Sequence, residues 1–313
     1  MYRIPTVLSS DEILDKAFKK VDKVKYDGRL ETTLDRINSF TDTVSATLMR
    51  YVKEFPTIEN MHPFYQDILD INVGVGEVKR ALSSVMWASH KVQEIASRER
   101  RRINKGNHKV MRKKVYGRLS SVVKGVDNDL SILREARKTL RRISVIRDDA
   151  VKVVIAGYPN VGKSTLLSKL SAAKPEVASY PFTTKGIIIG EWIDEKGRVY
   201  QFIDTPGLLD RPLGERNPIE RRAIAALDHI TDILLFVIDP SETCGYSVKQ
   251  QQNLLKSITK NRDAPLIVVE TKSDIIKRKT ENLKISPLAE DGLEELLERV
   301  KEISDTLRIP ENS

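Results

Sequence analysis

Residues 157–164 read Gly-Tyr-Pro-Asn-Val-Gly-Lys-Ser, two glycines framing four residues and followed at once by a lysine and a hydroxyl. That spacing suits a polyphosphate. The β-branched run Val151–Ala156 precedes it and a helical pattern follows, which is the context the motif needs. In such a loop backbone N–H groups wrap phosphate oxygens, and the helix N-terminus adds a partial positive charge. Lys163 brings a full charge to the β- and γ-phosphates, and the Ser164 hydroxyl suits Mg²⁺. Tyr158, Pro159, Asn160, Val161, Gly162 and Thr165 complete the expected nucleotide-lining set.

Further short elements follow in order. Asp204-Thr-Pro-Gly207 closes an apolar strand pattern. The Asp204 carboxylate is placed to hold a Mg²⁺-bound water, and the Gly207 amide to reach a γ-phosphate and report its loss. Thr183 and Thr184 precede another strand, and Thr184, nearer to it, is the expected third Mg²⁺ partner. Thr271-Lys-Ser-Asp274 follows the strand pattern Leu266–Val269. A carboxylate at Asp274 accepts from guanine N1–H and the 2-amino group, which adenine does not offer in that arrangement. Lys272 belongs to the same expected contact, and Ser286-Pro287-Leu288 would back the base. Singly, these have plain readings: an ordinary turn, a solvated loop, a helix cap at Ser286. Their succession after consecutive strands argues for guanine nucleotide binding.

These residues need a scaffold, and the chain supplies two kinds of texture. Among 313 residues, 53 are Lys or Arg and 44 Asp or Glu. The excess lies wholly in residues 1–150, with 30 basic and 20 acidic, against 23 and 24 beyond. The first half carries helical periodicities: Leu30 to Phe55, then Pro63 to Ile95, then Val115 to Leu140. An all-α bundle is expected over 1–149. From 150 to 313, strands near 151–156, 186–193, 198–204, 232–238, 265–270 and 283–286 alternate with helices near 163–173, 218–229, 245–260 and 290–306. That alternation predicts an α/β domain with a mainly parallel six-stranded sheet. Asp194-Glu-Lys-Gly197 reads as a hairpin turn, so one pair should be antiparallel.

Other classes drop out. The one cysteine, Cys244, excludes an internal disulfide and fits a reducing, cytoplasmic setting. His62, His90, His108 and His229 are too scattered for a zinc site. No apolar run approaches the ~20 residues of a membrane span, and no signal segment opens the chain.

Residues 151–290 resemble a small GTPase domain of the translation-factor-related class. Gly157–Ser164, Tyr180-Pro-Phe-Thr-Thr-Lys-Gly186 and Asp204-Thr-Pro-Gly-Leu-Leu-Asp-Arg-Pro212 resemble the Obg-related GTPases, and within them the nucleolar GTP-binding protein (Nog) family. The basic helical half, with Arg98-Glu-Arg-Arg-Arg102, resembles that family too, in its compact archaeal form. The resemblance implies a P-loop GTPase domain preceded by a helical bundle, hydrolysis of GTP to GDP and phosphate, and a switch role in assembly of the large ribosomal subunit. Lys163, Thr184, Gly207 and Asn160 would carry the catalysis. Thr271 stands where the family usually has Asn, which would contact guanine N7 and tie this loop to the phosphate loop; one hydroxyl does only part of that. Leu208 stands where many small GTPases place a water-positioning glutamine, so intrinsic turnover should be slow. In related GTPases an asparagine at the place of Asn160 helps bind K⁺. The plainer reading is that Asn160 shapes the loop. Arg211 is a further candidate helper, or a partner or solvent contact.

Between residues 98 and 118 the apolar pattern lapses into ten basic residues: Arg98, Arg100, Arg101, Arg102, Lys105, Lys109, Arg112, Lys113, Lys114 and Arg118. Lys105-Gly-Asn107 is the expected turn of a helical hairpin. A solvated face and an anionic membrane compete with nucleic acid as readings; Tyr116 is the segment's one aromatic, so interfacial anchoring is poorly supported. With no base-reading motif, backbone recognition of structured RNA is expected, and the resemblance narrows it to ribosomal RNA of a large-subunit precursor. A monomer is expected. Two rivals stand beside the switch: an RNA-docking module whose nucleotide only stabilises the fold, and a signalling GTPase of the developmentally regulated type.

Overall fold

The structure, a computed structural model, describes residues 4–307 apart from 105, 144, 145, 182, 184, 185, 261 and 277. Two residues singled out in the sequence, Thr184 and Lys105, lie outside the described residues.

Among the described residues six α-helices precede the first strand: α1 (Ser10–Asp22), α2 (Leu30–Glu54), α3 (Pro63–Asn72), α4 (Val75–Arg100), α5 (His108–Gly125) and α6 (Asp127–Arg142). The chain divides into two compact units. One holds the described residues up to His62 with Asn72–Arg141; the other holds Pro63–Ile71 with the described residues from Arg142 onward. The helix α3 therefore leaves its sequence neighbours and belongs with the sheet.

In the helical unit α2 lies along α4, with Phe40, Val44 and Leu48 from one and Val78, Val85 and Val92 from the other fully buried. Ser45 Oγ and Ser89 Oγ meet at 2.8 Å in that seam, where small residues let the backbones approach. The α1 helix, which the apolar periodicity does not announce, starts on a capping box in which Ser9 and Glu12 satisfy each other's amides. The run that reads as continuous from Pro63 to Ile95 is broken at Gly74, whose φ is +89°. The run from Val115 to Leu140 is broken at Val126.

The second unit is built on β1 (Val151–Ala156), α7 (Lys163–Leu170), β2 (Glu176–Ala178), β3 (Ile187–Ile193), β4 (Val199–Asp204), α8 (Pro218–Asp228), β5 (Ile233–Ile238), α9 (Val248–Thr259), β6 (Leu266–Glu270), β7 (Leu283–Lys284) and α10 (Leu293–Thr306). The sheet order is β2-β3-β4-β1-β5-β6-β7. Among the described residues the six strands expected become seven, because the short β2 pairs antiparallel with β3. The β3–β4 pair is antiparallel across the Asp194–Gly197 turn, and β4, β1, β5, β6 and β7 are parallel. Strand β5 is apolar without alternation, and β1 is so apart from Lys152, because both sheet faces are covered. Parallel strands put their carboxyl ends at one edge, so the loops after β1, β4, β5, β6 and β7 gather there.

The α3 helix is fastened to this unit. Phe64 stacks on Tyr180 at 6.3 Å between ring centroids, and the buried Tyr180 hydroxyl donates to the Ala223 carbonyl at 2.7 Å. Asp70 pairs with Arg222 of α8, and Asp67 lies 3.2 Å from His229. Tyr180 and helix α8 thus both meet α3.

Candidate nucleotide-binding site

The loop 157–162 leaves β1 and enters α7 under tight constraints. A Cβ at Gly157 would sit 2.6 Å from the Val237 carbonyl oxygen, so only glycine fits, and its φ is +139°. Gly162 (φ +103°) and Asn160 (φ +62°) make the two left-handed bends that turn the loop into the helix. The Gly157 amide donates to the Leu209 carbonyl at 3.1 Å, which ties the phosphate loop to the loop after β4.

A cavity of about 940 Å³ opens over this edge, lined by Tyr158, Asn160, Lys163, Ser164, Asp204 and Gly207 among others. The Lys163 ammonium is buried and donates to the carbonyls of Gly157 and Tyr158, each at 2.8 Å. Ser164 Oγ donates to Asp204 Oδ2 at 2.8 Å. Burial pushes the Lys163 ammonium below its usual range, against the raising influence of Asp204 and Asp210. Burial likewise pushes the Asp204 carboxyl up, against Lys163 and the Ser164 hydroxyl. For both groups burial outweighs the partners that favour the charged form, the condition in which a bound polyphosphate and a cation gain most from the site. The second Asp204 oxygen, Oδ1, is buried with no hydrogen-bond partner among the described residues. An unused carboxylate oxygen beside a serine hydroxyl is a hard oxygen donor set that fits Mg²⁺.

Thr183 lines the same cavity, with its hydroxyl on the Tyr180 carbonyl at 3.0 Å. Thr165 is exposed on the first turn of α7, and Val161 is buried beneath the loop. Leu208 is wholly buried, so the position after Gly207 faces the core. Arg211 pairs with Glu220 at 3.1 Å. Two residues outside the motifs' expected set complete this side. Asp210 Oδ2 accepts from the Gly207 amide at 3.0 Å, and its Oδ1 accepts from Arg216 at 3.0 Å. Arg216 has no exposed side-chain surface, and it also donates to the carbonyls of Gly207 and Leu208.

The base-side loops are cross-braced. Thr271 Oγ1 donates to the Val161 carbonyl at 2.7 Å, with the Ile238 carbonyl at 3.1 Å. The hydroxyl therefore does tie this loop to the phosphate loop. Lys272 (φ +56°) reaches Asp239 at 2.6 Å and Thr243 at 2.7 Å. Ser286 Oγ donates to Asp274 Oδ1 at 2.6 Å, which fixes the carboxylate and gives the serine a positioning role. Ala289's amide also reaches Ser286 Oγ, at 3.4 Å. Leu288 is 79% exposed, on the loop that Pro287 shares. The β5–α9 loop is held by the buried Gln251, whose side chain bonds Asp239 and the Tyr246 carbonyl. It delivers Tyr246 onto Tyr158, the rings stacked 4.0 Å apart. Cys244 is buried there and its thiol is pushed up by burial, so it is no nucleophile.

The basic residues of 98–118 fall on the end of α4, the turn after it and α5. Arg98, Arg100, Arg101, Arg102, Lys109, Lys113, Lys114 and Arg118 are exposed. Arg112 is half-buried over the Tyr26 ring at 4.6 Å. Glu99, 1% exposed, pairs with Arg98, Arg102 and Arg118, the last at 2.6 Å. That buried carboxylate sets the fan of three guanidiniums whose outer faces remain in solvent. Among the described residues no helix is long and apolar enough to cross a membrane, and no group of three or more His, Cys, Asp or Glu gathers to hold a metal ion.

Residues 2–147 match the NOG1 N-terminal helical domain, and residues 152–272 match a family described as 50S ribosome-binding GTPase. An uncharacterised protein of Methanocaldococcus jannaschii is 37% identical over 288 residues, covering 88% of this chain and 81% of that protein. Nucleolar GTP-binding protein 1 of Encephalitozoon cuniculi is 36% identical over 227 residues, covering 71% of this chain and 43% of that protein. Nucleolar GTP-binding protein 1 of Drosophila melanogaster is 35% identical over 279 residues, covering 85% and 42%. The chain thus spans less than half the length of these two eukaryotic relatives. With a phosphate loop, a lysine and a serine–aspartate pair meeting in one cavity, and with these family matches, the chain belongs to the nucleolar GTP-binding protein (Nog) family and is a GTP-binding protein with a P-loop GTPase domain.

Proposed function

We propose that this protein binds GTP, hydrolyses it slowly, and uses the difference between GTP and GDP to control a helical unit that docks on ribosomal RNA during large-subunit assembly. The observation that carries the nucleotide half is the convergence of the buried Lys163, the Ser164–Asp204 pair and the unpartnered Asp204 Oδ1 in one cavity at the mouth of the 157–162 loop. Lys163 would leave its two loop carbonyls for the β- and γ-phosphate oxygens. Ser164 and Asp204, with Thr184, would hold Mg²⁺, Asp204 through a water. The ion would supply positive charge to the phosphates when bound. Asp274, set by Ser286, would accept from guanine, and Gly207 would sense the γ-phosphate.

Hydrolysis is water attack on the γ-phosphorus, with the bond to the β–γ bridging oxygen breaking and GDP and phosphate leaving. With Leu208 in the core, the chain places no water-orienting amide after Gly207, which supports slow turnover. Asn160, exposed at a left-handed bend of the loop and lining the cavity, is the residue that would hold K⁺. Turnover should then be faster in KCl than in NaCl, and equal rates would reject that part.

The RNA half is supported by the fan of exposed guanidiniums around Glu99 and by exposed Lys109, Lys113 and Lys114 on the next helix. Such a surface matches phosphates by charge and carries no base-reading element. Its test is pelleting with ribosomal subunits under three conditions: a non-hydrolysable GTP analogue, GDP, and no nucleotide. Nucleotide-dependent pelleting is expected; equal pelleting in all three would reduce the nucleotide to a structural ligand.

A further inference from the structure

The Gly207 amide is the donor a γ-phosphate needs, and in this structure its hydrogen goes to the Asp210 carboxylate. One N–H cannot serve two anions. Asp210 is not there by chance of a loose loop. Its other oxygen is gripped by Arg216, which is wholly buried and also donates to the Gly207 and Leu208 carbonyls. The carboxylate, Gly207, Lys163, Ser164 and Asp204 all line one cavity. The Asp210 charge is felt at Lys163 as well.

We propose that Asp210 is an internal stand-in for the γ-phosphate and sets how strongly the site prefers GTP over GDP. This rests on the nucleotide reading given above. A triphosphate must break the Gly207–Asp210 bond and bring negative charge up to a carboxylate. A diphosphate does neither. The Arg216 grip on the far oxygen keeps the carboxylate close, so it retakes the amide once the γ-phosphate is lost. Asp210 thereby opposes the triphosphate state and restores the diphosphate one.

The test uses the full chain, stripped of nucleotide, at fixed Mg²⁺. Kd is measured for labelled GDP and for a labelled non-hydrolysable GTP analogue with wild type, Asp210→Asn, Asp210→Ala and Asp210→Glu. Hydrogen bonds to ionised acceptors are about twice as strong as neutral ones, so neutralising this competitor should favour the analogue over GDP by about tenfold. Asp210→Asn and Asp210→Ala should both show this rise, and Asp210→Glu, which keeps the charge, should stay near the wild-type ratio. The rise should come from the analogue, with GDP affinity as the internal check that the site is folded. A ratio unchanged in both neutral variants, or two affinities that fall together, would overturn the proposal. A loss of turnover with an unchanged ratio would place Asp210 in the chemistry instead and overturn it too. Failure of the wild type to bind either nucleotide would remove the site itself, a result distinct from an unchanged ratio.

Discussion

Thr271→Val changes one atom's chemistry and almost none of the volume, at a side chain 1% exposed. The hydroxyl has one hydrogen, and the Val161 carbonyl at 2.7 Å is the nearer acceptor. The Ile238 carbonyl at 3.1 Å already accepts the Thr271 amide at 2.8 Å, so it keeps a partner in the variant. The loss is thus one buried carbonyl left unpaired, which costs about 1–3 kcal/mol. That carbonyl belongs to the residue before Gly162, so the strain falls on the loop that carries Lys163. For a unit of this size 1 kcal/mol moves the melting temperature by about 2–4 °C, and a cost of ~2 kcal/mol predicts a drop of about 4–8 °C. Thr271→Ser keeps the donor and gives up only a methyl group, so it should melt between the two. Calorimetry on the three proteins, with GDP titrations on the same samples, reads both effects, and the valine variant should also bind GDP more weakly than the serine one. If Thr271→Val melts with wild type and binds GDP equally well, the tie between the two loops carries no weight and the reasoning fails.

Asp274→Asn removes the acceptor for two guanine donors, so GTP affinity should fall by about 100-fold or more while xanthine nucleotides gain; competition between GTP and XTP checks it, and unchanged guanine preference would refute the role. Asp239 gives a pH test. Burial alone would raise its carboxyl, but Lys272, Ser241 and the Cys244 amide outweigh burial and hold it below the usual carboxylate range. A folded value below the unfolded one contributes stability above about pH 4 and loses it as the pH falls through the folded value. Asp239→Asn should therefore melt below wild type at neutral pH, with the gap closing only in acid; a gap independent of pH would count against the ion pair. Replacing Arg101, Lys109, Lys113 and Lys114 with alanine should make RNA binding less salt-dependent, by up to about 0.7–0.9 in log–log slope for each phosphate no longer neutralised. An unchanged slope would move the RNA surface elsewhere.

Some of this architecture is legible in the sequence because its signals are local. The phosphate loop needs glycine where a Cβ would strike the Val237 carbonyl, and that need is written at Gly157 itself. The Asp194–Gly197 turn announces its hairpin through a glycine at φ +78°. Strand β5 is apolar throughout and β1 is apolar apart from Lys152, as strands buried on both faces must largely be. Other local signals are quieter, because they lie in polar residues outside the apolar pattern: Ser9 with Glu12, Asn217-Pro218 with Glu220, and Ser247 with Gln250 each form a capping box. The breaks at Gly74 and Val126 are hidden because the apolar positions continue in helical phase across them. Strand β2 is three residues long with two of them exposed, so nothing in its pattern marks it apart from its pairing to β3.

The order of residues determined which groups of the 157–164 loop line the cavity, since a loop's bends and a helix's first turn are set by neighbours a few positions apart. Folding alone decided that Thr271 would brace Val161, that Ser286 would hold Asp274, and that α3 would join the sheet through Phe64 and Tyr180. It alone decided that Asp210 would take the Gly207 amide under the grip of a buried Arg216. Those partners lie on different loops, or are turned toward each other by a buried side chain. Their pairing is selected by the free energy of leaving no polar group stranded inside, a condition that exists only once the chain has closed around them.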